Sequence, residues 1–451
     1  MSFTTTIDGS VYVLTEEFMS RHPGGRDMII LAASRDASSL VGSYHRRDDV
    51  FRKSLATLTK LSGTDAEVAQ TAHRAFDPHS QALLRTDSPL YTELKNRINA
   101  YFGNSNNSNN SRGGSIMILK SFFHIAITAF AYYISHIQGY FLLSPITGLM
   151  ISMLGLCVQH DANHGALSTS PLLNRFFGFM DDVIGGSALC WKTQHVTGHH
   201  QHPNHHTLDS DSYGNFPLLR LNPVDKRYWY HAYQAYYAPL LYSLLAFVYP
   251  IRDMVDMAYR GHFHTPMPPL DATTLTLFWL GKILHYGLLW AVPLVLHGLS
   301  NGFLGLICPT LLTGGLFLAI SFSVSHNVPS TAYNNTEDMC FAETQIRTSA
   351  DWSPDSLISS FIWGGLNTQI IHHLFPGIAH IHYPALTRIV VDVCREKGIP
   401  YNAYPTFGSA VWAHFKQLDA LGNGEDEDVH MGKTRSPVIA SFENVHDKKS
   451  D

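Results

Sequence analysis

The stretch WKTQHVTGHHQHPNHHTLDSD, Trp191 to Asp211, packs six histidines into the twelve positions from His195 to His206. Neutral imidazole is the commonest metal ligand, and it holds a metal where several side chains converge. On an α-helix His195 and His199 would share one face, with His200 beside them. Taken alone, the stretch fits a solvated polar loop equally well. Three other places change that balance. His160 and His164 stand at i and i+4 in QHDANH, His326 sits in SHN, and Gln369, His372 and His373 stand at i, i+3 and i+4 in QIIHH. Eight histidines and one glutamine exceed the needs of one metal ion and suffice for two. Imidazole ligation suits iron, zinc or copper.

A second pair stands apart from these. His22 lies on the tight turn His22-Pro23-Gly24-Gly25, which fixes its side chain and lets a flat group approach the backbone. His45 follows after an apolar pattern around Met28, Ile29 and Leu31. Two histidines facing across an apolar slot can fill both axial positions of a haem iron. That arrangement suits electron transfer rather than dioxygen binding.

What must position these groups is membrane helix. The chain has 451 residues, 45% of them hydrophobic and 15% charged, below the roughly 25% charged of a soluble domain. A membrane helix needs about 20 apolar residues. Ile116 to Ser135 and Tyr140 to Val158 qualify and form one hairpin. Leu275 to Leu296, interrupted by Lys282, and Phe303 to Val324 form a second. Neither hairpin turn contains Lys or Arg, so the positive-inside rule puts both turns in the lumen. The haem unit, the histidine clusters and both termini are then cytosolic. Phe176 to Leu189 and Tyr233 to Ile251 are apolar but interrupted by Asp181, Asp182, Pro239 and Pro250, and read as interfacial helices. Each cytosolic mouth of the hairpins carries histidine, and a polar group at a membrane helix end facing the bundle marks function.

The expected fold is mainly α. A polytopic membrane domain of four transmembrane helices in two hairpins, with a cytosolic helical cap, spans 116–421. A small α+β unit spans 1–62. There Asp8-Gly9 turns into a strand, Ser10 to Leu14, and Thr15 caps a short helix. Residues 63–115 form a linker. Its helix starts at Ser88-Pro89 and carries the apolar stripe Leu90, Tyr91, Leu94, Ile98 and Tyr101. A flexible Asn/Ser-rich segment follows, with glycosylation sequons at Asn106 and Asn109 that a cytosolic linker leaves unused. From Gly422 to Asp451 the composition reads as a disordered tail.

Several function classes are excluded. A net charge of −5 gives no basic face for nucleic acid. Five scattered cysteines without a CxxC pair argue against a disulfide scaffold or a thiolate zinc site.

The stretch IDGSVYVLTEEFMSRHPGGRDMIILAASRDAS with Tyr44-His45 resembles a cytochrome b5 domain. The resemblance implies a haem b held by His22 and His45. That family usually carries a further strand-bearing stretch ahead of IDG, which implies either a trimmed unit or an incomplete N-terminus. QHDANHGA, WKTQHVTGHHQHPN and NTQIIHHLFPGIAHIHYP resemble the three histidine boxes of membrane fatty acyl desaturases. Glutamine at the head of the third box and the fused haem unit resemble the front-end desaturases, which act between an existing double bond and the carboxyl end. By that resemblance two iron ions are held by His160, His164, His195, His199, His200, His326, Gln369, His372 and His373. Asp161 would orient an imidazole from behind, and His202, His205, His206, His380 and His382 receive no ligand role.

The resemblance further implies dioxygen as co-substrate and electrons from NADH through a separate cytochrome b5 reductase. The substrate would be an acyl lipid or acyl-CoA, with delta-5 or delta-4 chemistry favoured over delta-6 or delta-8. Lys448-Lys449 near the C-terminus resembles a retrieval signal of the endoplasmic reticulum membrane. A sphingolipid desaturase, conjugase or lipid hydroxylase could use the same boxes. A membrane metal transporter would instead place its ligands near mid-membrane, and a tethered electron carrier would leave the boxes without a purpose.

Overall fold

The computed structural model describes residues 2–82, 84–103, 108–333 and 340–425. The Asn106 sequon and the Lys448-Lys449 pair lie outside them. The described chain is mainly helical.

The N-terminal unit opens on the strand Phe3–Ile7, paired antiparallel with Ser10–Leu14. Asp8 and Gly9 turn between them at φ 48° and 73°, the left-handed pair whose twist suits a hairpin. The Thr15 hydroxyl accepts the Phe18 N–H and starts the helix Glu16–Arg21. Arg26–Ile29, Ser38–Tyr44 and Asp48–Leu55 then wall a slot between His22 and His45.

The linker helix Pro89–Tyr101 begins as expected, with the Ser88 hydroxyl accepting from Tyr91 N and proline in its first turn. Tyr91, Leu94 and Ile98 are fully buried, whereas Tyr101 falls outside the stripe at 47% exposed. Burial of each such side chain contributes about 1.5–3 kcal/mol. They pack on Gln369–Leu374 and Tyr383–Lys397, and the Tyr91 hydroxyl donates to Leu374 O at 2.7 Å. The helix therefore braces the third histidine box from behind.

Among the described residues three helical runs are long and apolar enough to cross a membrane: Gly114–Ile137, Phe141–Asn163 and Ala272–His326. A fourth candidate is the pair Trp229–Ser243 and Leu245–Tyr259, bent by 68°. The third run has 55 residues. At 1.5 Å per residue it would measure roughly 80 Å, more than twice the hydrocarbon thickness. It is broken at Gly298, whose φ of 73° and ψ of 174° are not helical. Both parts lie against the first two runs: Tyr132 Oη donates to Leu288 O at 2.7 Å, and Ser144 Oγ to Gly305 O at 2.9 Å. His297 Nε2, beside the break, donates to His136 O at 2.8 Å, so the two turns meet at one end.

Phe141–Asn163 and the helix Cys308–His326 cross at glycines. A Cβ on Gly148 would stand 2.2 Å from Thr310 O, and Ser152 Oγ donates to Gly314 O at 3.1 Å. Small residues let such helices approach backbone to backbone. The crossing brings the ends at His160 and His326 to the same side, away from the turns. The apolar stretch from Phe176 to Leu189 is not one helix. It is split into Pro171–Gly178, Met180–Ile184 and Ala188–Trp191, with Gly185 at φ 121°.

Candidate metal centre

All nine sequence-predicted ligands converge in one buried region. The ligand nitrogens of His160, His164, His195 and His372 all lie within 4.8 Å of one another, and so do those of His199, His326 and His373. His200 stands between the two groups. Its Nε2 is 3.1 Å from both His195 Nε2 and His372 Nε2, and its ring stacks on His373 with centroids 4.3 Å apart. Gln369 places its side-chain amide 3.0 Å from His326 Nε2 and 3.1 Å from His373 Nε2.

The second box differs from the expected α-helix. Lys192–His199 is a π-helix, and His200 N donates to His195 O at 2.9 Å, an i to i+5 bond. The wider turn aims His195 at the first group and His199 at the second. Such turns often occur at functional sites.

Fixed tautomers tell what these nitrogens can do. Asp209 accepts from His199 Nδ1 at 3.0 Å. Thr348 O lies 3.2 Å from His326 Nδ1, and Gln345 Oε1 lies 2.8 Å from His373 Nδ1. A carboxylate and a carbonyl only accept, so in His199 and His326 the proton sits on Nδ1 and the Nε2 lone pair points inward; the amide oxygen does the same for His373. His160 Nδ1 and Nε2 and His164 Nε2 are buried without a hydrogen-bond partner. An orphaned buried polar atom costs about 1–3 kcal/mol, and so many converging lone pairs repel unless a cation lies among them. Burial and neighbouring imidazoles push the pKa values of His195, His200, His372 and His373 well below the ordinary range, which keeps them neutral. At His199 burial acts the same way, but the Asp209 and Asp211 carboxylates outweigh it and raise the pKa to about 9. That corner therefore attracts a positive charge, whether proton or metal. The donor set fits two ions of the imidazole-binding class, iron among them.

Asp161, expected behind a metal ligand, hydrogen-bonds His380 instead, a histidine without a predicted ligand role. Its Oδ2 accepts from His380 Nδ1 at 2.9 Å and from His380 N at 3.2 Å, while Oδ1 stands 3.8 Å from His160 Nδ1. Lys120 Nζ lies 2.8 Å from His380 Nε2 on the other side. Of the other unassigned histidines, His202 is buried and His206 pairs with Asp225 at 2.8 Å.

Sequence reasoning missed the groups behind the ring: Asp209, Gln345, Thr348 and Tyr383, whose hydroxyl is 3.2 Å from His372 Nδ1. It also missed Asn204, which donates through Nδ2 to His326 O and Thr348 O and so ties the second box to the end of the last long helix. The one available signal was LDSD, two carboxylates ten and twelve residues after His199.

His22 and His45 face each other across a cavity of about 280 Å³ with ring centroids 6.1 Å apart. Phe18, Met28, Leu31, Val41 and Phe51 line it. His45 Nδ1 donates to Val41 O at 2.8 Å, which frees its Nε2 for a metal. Burial, and then His45, lowers the His22 pKa to about 4. Gly25, at φ 79°, brings the His22 turn against the membrane domain, where a Cβ would stand 2.6 Å from Pro171 Cβ. His164 and Gly165 form part of the same cavity wall.

The description "Fatty acid desaturase" fits residues 135–405, and "Cytochrome b5-like Heme/Steroid binding domain" fits residues 2–84. The chain is 32% identical to an acyl-lipid (7-3)-desaturase of Chlamydomonas reinhardtii, over 93% of this chain and 81% of the relative. It is 32% identical to a probable Delta(5) fatty acid desaturase C of Dictyostelium discoideum, over 93% and 92%. It is 31% identical to an sn-1 linoleoyl-lipid 6-desaturase of Synechocystis sp., over 73% and 94%.

Proposed function

Because the chain belongs to the fatty acid desaturase family and carries a cytochrome b5-like domain, we propose that it is a front-end polyunsaturated acyl desaturase fed with electrons by its own haem. The observation that carries this reading is the convergence of nine nitrogen and amide donors beside a two-histidine haem slot. His160, His164, His195, His199, His200, His326, Gln369, His372 and His373 would hold two iron ions, and His22 and His45 the haem. Bound there, iron would supply oxidising chemistry with dioxygen strong enough for an unactivated C–H bond. The chain supplies the rest. Asp209, Gln345 and Thr348 hold the rings in one tautomer. Trp191 stacks on His195 at 4.4 Å and separates the ring of histidines from a narrow cavity. Ile151, Gly155, Leu311, Leu318 and Phe322 form the apolar side of that cavity, which suits a methylene chain, while Gln159, Asp181, Gln194, Tyr249 and Asp253 line the rest.

Ala272–His326 reads as two spans, which makes four in two hairpins with the turns in the lumen. The multi-pass protein then sits in the endoplasmic reticulum membrane with cytosolic termini. NADH-dependent cytochrome b5 reductase is the proposed donor, and fusion raises the effective concentration of the haem carrier. Asp161 acts from behind the ring, through His380. The working division is a haem unit over 1–62, whose family description carries on to residue 84, then the linker to 115, desaturase over 116–421 and tail over 422–451. The substrate is an acyl lipid or acyl-CoA, with delta-5 or delta-4 insertion favoured.

Expression in yeast fed single polyunsaturated acids, with double bonds located by mass spectrometry, tests the reading. A new double bond on the carboxyl side of an existing one supports it. An iron-loaded chain that desaturates no fed acid overturns it, and hydroxylated or sphingoid products would favour the sister chemistries.

A further inference from the structure

The haem unit reaches a histidine of the metal centre through the Tyr44 hydroxyl. Tyr44 immediately precedes His45, and its Oη lies 2.7 Å from His164 Nδ1. His164 needs such a neighbour. An imidazole presents its Nε2 lone pair to a metal only while its proton rests on Nδ1, and that N–H requires an acceptor. His199, His326 and His373 find theirs within the membrane domain and its cap. His164 finds its own across the domain boundary, while its Nε2 stays unpartnered in the ring of histidines.

We infer that the haem unit completes the metal centre, with the Tyr44 hydroxyl accepting the Nδ1–H of His164 and thereby holding His164 Nε2 toward the metal. This rests on the reading that the histidines bind iron. Tyr44 is a positioning residue, and the fused unit is then a structural part of the iron site as well as an electron carrier. The place is braced for this role. Arg112 Nη1 donates to Gly165 O at 2.5 Å and Gly377 O at 2.7 Å, which fastens the backbone just beyond His164. Docking does not depend on Tyr44. Arg175 grips Asp27 with two hydrogen bonds of 2.8 and 2.7 Å, and Arg35 Nη2 donates to Pro266 O at 2.7 Å.

Tyr44→Phe removes one oxygen and keeps the ring, and Asp27→Asn weakens docking without touching a metal histidine. The full-length chain, loaded with haem and ferrous iron, is assayed for its Soret band, for non-haem iron per haem, and for iron lost to a ferrous chelator. Tyr44→Phe should keep the wild-type Soret band and lower the affinity for non-haem iron about 10–100-fold, the usual cost of losing a partner behind a ligand. Asp27→Asn should lose far less iron than Tyr44→Phe, because Arg35 still holds the unit in place through Pro266 O. Wild-type iron retention in Tyr44→Phe overturns the inference, as does equal iron loss in both variants, which would mean loosened docking. A wild-type chain that binds haem but no non-haem iron would instead overturn the metal reading on which the inference stands.

Discussion

Asp209 holds His199 from behind, its Oδ1 3.0 Å from the Nδ1 of a ring only 2% exposed. The same carboxylate accepts the Asn204 N–H at 2.7 Å and the Asp211 N–H at 3.0 Å, so its position is set by the loop that follows the second box. A carboxylate there fixes the tautomer and makes Nε2 a stronger donor.

Asp209→Asn should keep the fold and the haem spectrum but weaken non-haem iron binding about 10–100-fold. Iron per haem after dialysis at graded free iron reads this directly. Unchanged iron content would show that Asp209 serves only the loop.

His45→Ala should abolish haem binding and leave non-haem iron in place, because His45 belongs to neither group of metal histidines. Turnover through the fused route should stop. The Soret band and the iron assay together separate the two sites. Loss of both cofactors would mean that haem and iron sites fold as one unit.

Haem retention should depend on pH in one direction. His22 is held near pKa 4 in the fold against an ordinary value of 6.5, and burial lowers His45 as well. Below about 6.5 the unfolded chain takes up protons that the folded slot refuses, so stability falls from there toward pH 4 and is level above. A Soret titration of the full chain should show haem release on acidification over that window. Release on raising the pH from 7 to 9 would contradict it.

Lys282 is the charged interruption in a predicted span, and it is buried. Its Nζ donates to Asp253 Oδ2 at 2.7 Å, Gly186 O at 2.9 Å and Gly185 O at 3.0 Å. Lys282→Met would strand the Asp253 carboxylate, a loss of about 3–5 kcal/mol for a broken buried pair. Thermal unfolding in detergent should move down by many degrees, and Lys282→Met with Asp253→Leu should recover part of the loss. Recovery of nothing would point to the two carbonyl contacts instead.

Residue type and short spacing made much of this protein legible in its sequence. The haem pair, the four histidine-bearing stretches and the long apolar runs each announce themselves within a few residues, because a helix repeats every few positions and a membrane helix needs an unbroken apolar run. The caps at Thr15 and Ser88 are equally local. Tertiary structure decided how those pieces divide the work. Whether His195 and His199 point into one group of histidines or two depended on a π-helix, and nothing in HVTGHH separates that turn from an α-helix. Asp161 was foreseen to hold an imidazole, but the ring it holds, His380, lies 219 residues on. Tyr44 reaches His164 across 120 residues and a domain boundary. Such partners are chosen by where the backbone path brings their atoms. The sequence therefore determined which residues could bind metal and haem, whereas the packing of the helices decided which lone pairs meet and what holds each ring in place.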